Sequence, residues 1–110
     1  MVDYGRSARC FALFALLAAA TWAGDASPRT HTVVIENMRF DPAELEVKIG
    51  DHVAWVNKDL FPHTATADDK TFDSGSIDVR SSWNYSASAS GEHAYGCAFH
   101  PTMKGKLTVR

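Results

Sequence analysis

Leu45, Val47 and Ile49 recur at every second position, with Glu44, Glu46 and Lys48 between them. A strand buried on one face produces that pattern, because successive side chains point to opposite sides of the sheet. The alternation returns at 52–57, where Val53, Trp55 and Asn57 share one face and Ala54 and Val56 the other. It returns again at 82–87 through Trp83, Tyr85 and Ala87. No stretch keeps a 3.6-residue apolar period for three turns, so no helix would have an apolar face to bury. Thr32–Ile35 is β-branched, Met38 and Phe40 lead into a turn at Asp41–Pro42, and His63–Ala67 and His93–Cys97 read as short strands. Lys106–Arg110 closes the chain with Leu107 and Val109 inward. Gly50–Asp51 carries a hairpin signal, Gly91–Glu92 reads as a turn, and the polar 68–80 stretch is anchored by Phe72 and Ile77. Seven or eight short strands with turn signals at intervals of about ten residues predict an all-β sandwich or barrel.

The first 30 residues do not share this pattern. Arg6 and Arg9 precede an uncharged apolar run from Cys10 to Ala20. That run is shorter than the ~20 residues of a membrane span and matches the apolar region of an export signal. Residues 1–26 are therefore expected to be a signal peptide, cleaved after Ala23 or Ala26, with an uncleaved anchor or a buried N-terminal helix as the competing readings. Residues 27–30 form a polar linker and 31–110 the domain. The expected location is the periplasm, with no stable membrane insertion after cleavage. Cys10 precedes the apolar run instead of following it, which argues against a lipoprotein. A net charge of −2 argues against nucleic-acid binding, which favours a basic excess. Cleavage would leave Cys97 as a lone cysteine. Exported proteins mostly use cysteine in pairs, so a lone exported thiol points to another use, and metal ligation is one.

The neighbours of Cys97 supply that use. Tyr95 to Met103 reads YGCAFHPTM, which contains C-x-x-H-x-x-M. Thiolate, imidazole and thioether lie within seven residues, and a second imidazole, His63, follows the loop that begins after Asn57. Two histidines and a cysteine with a weak axial methionine suit copper in both oxidation states. A structural zinc site is disfavoured, because thioether is a poor zinc ligand. His31, His52 and His93 are expected at the surface, since the ligand set is complete without them, and Met38 is expected in the core or at its rim. No G-x-S-x-G context surrounds Ser74 or Ser76, so nucleophilic catalysis of that type has no support.

From Gly50 to Arg110 the chain resembles the cupredoxins, small blue copper proteins, and its short ligand loop most resembles that of the amicyanins. The segment from Lys104 to Val109 resembles the last strand of that family, and Val33 to Ile49 fits its first strands more loosely. The resemblance implies a monomeric Greek-key β-sandwich of seven to eight strands that binds one copper ion through His63, Cys97, His100 and Met103. It implies a blue copper (type 1) electron-transfer protein and not an enzyme. Its implied partners are transient redox proteins, such as a periplasmic dehydrogenase and a c-type cytochrome. A periplasmic copper carrier is the alternative, weakened by the scarcity of methionine. Two positions depart from the amicyanin pattern. Phe99 stands where proline is expected, so its N–H is available to point at the Cys97 sulfur. Thr64 stands where many cupredoxins have asparagine, so a side-chain amide tying the two ligand loops together is missing. Phe61, Pro62, Phe99 and Pro101 would form an apolar patch around the exposed edge of His100, the implied electron port.

Overall fold

The computed structural model describes residues 27–110. The expected signal peptide lies outside the described residues. The alternating segments become eight strands in two four-stranded sheets. The strands are β1 (Thr30–Glu36), β2 (Arg39–Asp41), β3 (Glu44–Val47), β4 (His52–Asn57), β5 (Thr66–Ala67), β6 (Ser82–Ser86), β7 (Gly91–Gly96) and β8 (Lys104–Val109). One sheet has the order β2-β1-β4-β6 and the other β3-β8-β7-β5. Parallel pairing of β1 with β4 and of β3 with β8 sits among antiparallel neighbours, so the chain crosses repeatedly between the sheets. The inward residues of both sheets meet in one core, which includes Val33, Ile35, Phe40, Val53, Trp55, Tyr95, Leu107 and Val109. Trp55 is its centre: its ring packs 5.4 Å from Phe72, 5.5 Å from Tyr95 and 5.7 Å from Trp83. No helix among the described residues is long and apolar enough to cross a membrane.

Val53, Trp55 and Asn57 are all buried, as their shared face predicts. Phe72 and Ile77 do anchor the 68–80 segment. Other expectations need correction. Gly50–Asp51 does not form a hairpin, because β3 and β4 lie in different sheets. The turn there, closed by the Asp51 N–H on the Lys48 carbonyl with Gly50 at a φ of 94°, carries the chain from one sheet to the other. Periodicity reports a strand's inward face but not which strand it pairs with. Gly91 and Glu92 are the first residues of β7, not a turn. His63 lies outside the strand expected for it, in an isolated bridge to Ile77. Ile49 follows the end of β3 and is half exposed. Met38, expected in the core or at its rim, is exposed.

His93 is the main exception among the non-ligand histidines, being 5% exposed instead of lying on the surface. Its Nδ1 lies 2.6 Å from Asp69 Oδ2 and its Nε2 lies 2.8 Å from the Ala89 carbonyl. Both partners are acceptors, and only the doubly protonated ring donates from both nitrogens. The Asp69 hydrogen bond raises the His93 pKa against the opposing effect of burial. Thr71 and His93 together hold Asp69 down at about 2. The sign of the pH dependence follows. The histidine contribution is complete below the ordinary histidine pKa and fades as pH rises through the elevated value. The Asp69 contribution is complete above the ordinary carboxylate range and fades as pH falls toward about 2. The melting temperature is thus expected to fall from pH 6 toward pH 9, and His93→Gln should flatten that slope; equal slopes for the two proteins would contradict the assignment.

Candidate metal centre

Asn57 ends β4 and Gly96 ends β7, so the loops that follow them emerge at one pole of the sandwich. The first loop is held from below by Asn57. Its buried amide donates to the Phe61 carbonyl at 2.8 Å and to the Ile77 carbonyl at 2.9 Å, and its Oδ1 accepts the Asp59 N–H at 2.9 Å. His63 is then fixed by a reciprocal backbone pair with Ile77, at 3.2 and 2.7 Å. The second loop coils on itself. The His100 N–H reaches the Cys97 carbonyl, the Met103 N–H reaches the His100 carbonyl, and the Cys97 N–H returns to the Met103 carbonyl. Two glycines let the flanking strands close around it. A Cβ on Gly96 would stand 2.8 Å from the Met103 carbonyl oxygen, and one on Gly105 would collide with the Tyr95 ring.

These two loops converge. Cys97 Sγ lies 3.7 Å from His63 Nδ1 and 3.6 Å from His100 Nδ1. The three donor atoms lie within 4.8 Å of one another, and among the described residues these side chains form the group able to share a metal ion. The spacing fits a metal. Bonds of about 2.3 Å to sulfur and about 2.0 Å to nitrogen, opened by about 120°, leave S and N roughly 3.7 Å apart. Met103, the fourth expected ligand, is 1% exposed and contributes its backbone to the same loop. His63 and Cys97 are buried, while His100 keeps part of its surface in solvent.

The ring of His63 is oriented by Asp59, a residue that sequence reasoning passed over. Asp59 Oδ2 lies 2.9 Å from His63 Nε2 and also accepts the Met38 N–H at 3.0 Å. Burial opposes ionisation of Asp59, but the Met38 N–H, the His63 ring and the Leu60 N–H outweigh it and hold the carboxyl below the usual range. An ionised carboxylate only accepts, so the proton of neutral His63 sits on Nε2 and the Nδ1 lone pair faces Cys97. The four-residue spacing from Asp59 to His63 was visible, but loop spacing alone does not reveal facing side chains.

Two expectations about the surroundings of the sulfur are corrected. Among the described residues, the Thr64 N–H donates to Cys97 Sγ at 3.3 Å, and the Phe99 N–H is not among its partners. The tie between the ligand loops is also present despite the absence of asparagine. The Ala98 N–H donates to Thr64 Oγ1 at 2.8 Å. The Thr64 hydroxyl makes this tie in place of a side-chain amide. His31 and His52 stay outside the group, bonded to Asp51 and Ser86. The apolar residues expected near His100 are exposed: Phe61 and Phe99 are each 52% exposed, and Pro62 and Pro101 are exposed with them. Leu60, missed in the sequence, extends this set at 81% exposure. The Phe61 ring lies 6.4 Å from the His100 ring.

An eight-stranded, two-sheet sandwich with a His-Cys-His group at one pole, two of its members buried, defines the class of small metal-binding β-sandwich proteins. The chain belongs to the cupredoxin-like domain family, whose pattern matches residues 9–109. Amicyanin-alpha of Methylorubrum extorquens is 31% identical over 101 residues, covering 86% of this chain and 85% of that protein. Amicyanin of Paracoccus denitrificans is 28% identical over 82 residues, covering 70% of this chain and 63% of that protein. Among solved structures, a proline-to-phenylalanine mutant of amicyanin in its reduced state matches with a TM-score of 0.68 and 29% identity, over 74% of this chain and 82% of that one. A Cu-containing nitrite reductase from Thermus scotoductus matches with a TM-score of 0.70 and 28% identity, over 83% of this chain but 24% of the much longer reductase chain. The cofactor of this family is copper, and His63, Cys97 and His100 form a group suited to hold one ion.

Proposed function

We propose that this chain is a periplasmic single-electron carrier whose site takes one type 1 copper ion on His63, Cys97 and His100, with Met103 as a weak fourth ligand. The observation that carries this reading is the Cys97 sulfur facing two imidazole Nδ1 atoms at 3.6 and 3.7 Å, beside a ring edge that reaches the surface. Copper bound there supplies a one-electron Cu(I)/Cu(II) couple. The residues of the chain do the rest. Two loops braced by Asn57 and Thr64 hold the donor atoms in place, so little of the protein has to move when the charge changes. The Thr64 N–H withdraws charge from the sulfur and favours the reduced state. Burial of His63, Cys97 and Met103 excludes water from three sides. His100 is the port, and Leu60, Phe61, Pro62, Phe99 and Pro101 give a redox partner an apolar surface on which to dock. Electron exchange with a dehydrogenase and a c-type cytochrome calls for short-lived docking. The apolar run from Cys10 to Ala20 supports export.

The test is copper addition to the purified protein, followed by visible spectroscopy and voltammetry. Intense visible absorption from thiolate-to-Cu(II) charge transfer and a reversible one-electron wave are expected. A folded, copper-loaded protein without that absorption would sink the proposal. Rapid loss of the ion to a Cu(I) chelator, without reversible voltammetry, would favour a copper carrier instead.

A further inference from the structure

The hydroxyl that ties the ligand loops does not end at the metal loop. Thr64 Oγ1 also lies 2.8 Å from Thr66 Oγ1, and Thr66 Oγ1 lies 3.1 Å from Asp73 Oδ1. Thr66 and Asp73 face each other across an isolated antiparallel bridge, and Asp73 Oδ1 accepts the Gly75 N–H at 3.0 Å as well. Counting protons gives every bond in this chain a direction. An ionised carboxylate only accepts, so the single Thr66 hydroxyl proton goes to Asp73. Thr66 Oγ1 can then only accept from Thr64, which spends the single proton of Thr64. Thr64 Oγ1 is left as an acceptor, and the Ala98 N–H fills that role.

We propose that Asp73 is a positioning residue for the metal loop, acting through Thr66 and Thr64 on the peptide that follows Cys97. The inference rests on the copper reading above. It gives the surface carboxylate two effects at the site. It polarises the chain so that Thr64 Oγ1 is a stronger acceptor for the Ala98 N–H, since hydrogen bonds in series reinforce one another. It also commits the Thr64 hydroxyl proton to Thr66, so that this proton is not available to Cys97. The sulfur then takes its hydrogen bond from the Thr64 backbone, whose place is set by the neighbouring His63–Ile77 backbone pair and not by a rotating hydroxyl. The bond from the Ala98 N–H to Thr64 Oγ1 ties the two ligand loops together. Here a two-threonine chain anchored outside the metal loops does that work.

Two readouts test this. In the metal-free protein, Ala98 amide exchange followed by NMR should accelerate about tenfold in Thr66→Val and in Asp73→Ala, as expected for one weakened hydrogen bond. Thr66→Ser and Asp73→Asn, which keep the hydroxyl and the terminal acceptor, should restore slow exchange. In the copper-loaded protein, the charge-transfer band should move in Thr66→Val and return in Thr66→Ser. A general loss of stability would not be rescued in that pattern. Ala98 exchange within about twofold of wild type in both Thr66→Val and Asp73→Ala would overturn the chain. A moved amide with an unmoved copper band would overturn its role at the metal. Failure of the copper reading would show separately, as a colourless copper-loaded wild type.

Discussion

Cys97→Ala is expected to abolish the visible absorption of the copper-loaded protein and to weaken copper binding by more than about a hundredfold, beyond the usual effect of losing a supporting partner. On the proposed reading the thiolate is both the source of the charge-transfer band and the softest donor of the set, the one that would hold Cu(I). The substitution should disturb the metal-free fold little. Cys97 is a small buried side chain directly after β7, and alanine keeps its backbone bonds to the loop. The decisive measurement is therefore a pair of thermal melts with and without copper, beside the visible spectrum. A ligand that binds the folded state raises its stability in proportion to its occupancy. The wild type should gain melting temperature on copper addition and the variant should gain almost none. A variant that keeps the band, or the full copper-dependent gain, would remove Cys97 from the ligand set.

Asn57→Ala is expected to destabilise the domain by about 3–5 kcal/mol, because it deprives three buried or part-buried backbone groups of partners at about 1–3 kcal/mol each. The Phe61 and Ile77 carbonyls lose a donor and the Asp59 N–H loses its acceptor. A domain of this size has a total stability of about 5–10 kcal/mol, so the loss is a large fraction of the whole. The damage should concentrate at the metal pole. The Asp59 N–H fixes the carboxylate that orients His63, and Ile77 pairs with the backbone of His63. Chemical denaturation should show a lower midpoint, and the copper site should lose definition under conditions where the variant is still folded. A loss below about 1 kcal/mol would show that water replaces the amide without penalty.

Asn57 also shows how the readable and the unreadable parts of the sequence meet. Its burial was legible, since it shares a strand face with Val53 and Trp55. Its purpose was not, because its three partners lie in segments that periodicity does not connect. The candidate ligands were legible as a constellation, and the structure brings His63, Cys97 and His100 of them together. Cys97, His100 and Met103 are close in sequence, and a turn of the chain suffices to gather them. His63 is distant, and it was found because its residue type completed a copper-binding set. Asp59, the Thr64 hydroxyl and the burial of His93 escaped notice for a common reason. Each acts through a contact between loops or strands far apart in the chain, where residue type gives no directional signal.

The turn at Gly50–Asp51 marks the same boundary in the fold. Alternation at period two is a local consequence of strand geometry, so the sequence by itself determined that the chain forms short, one-sided strands around an apolar core. It also determined the donor chemistry, because thiolate, imidazole and thioether are properties of the residues. Strand pairing, the direction in which loops cross and the partner of each buried polar group are long-range choices. They depend on which surfaces fit together once the core has closed. Only the tertiary structure decided that β3 leaves β4 for the opposite sheet, that Thr64 replaces an amide with a hydroxyl, and that the two ligand loops meet with three donor atoms facing one another.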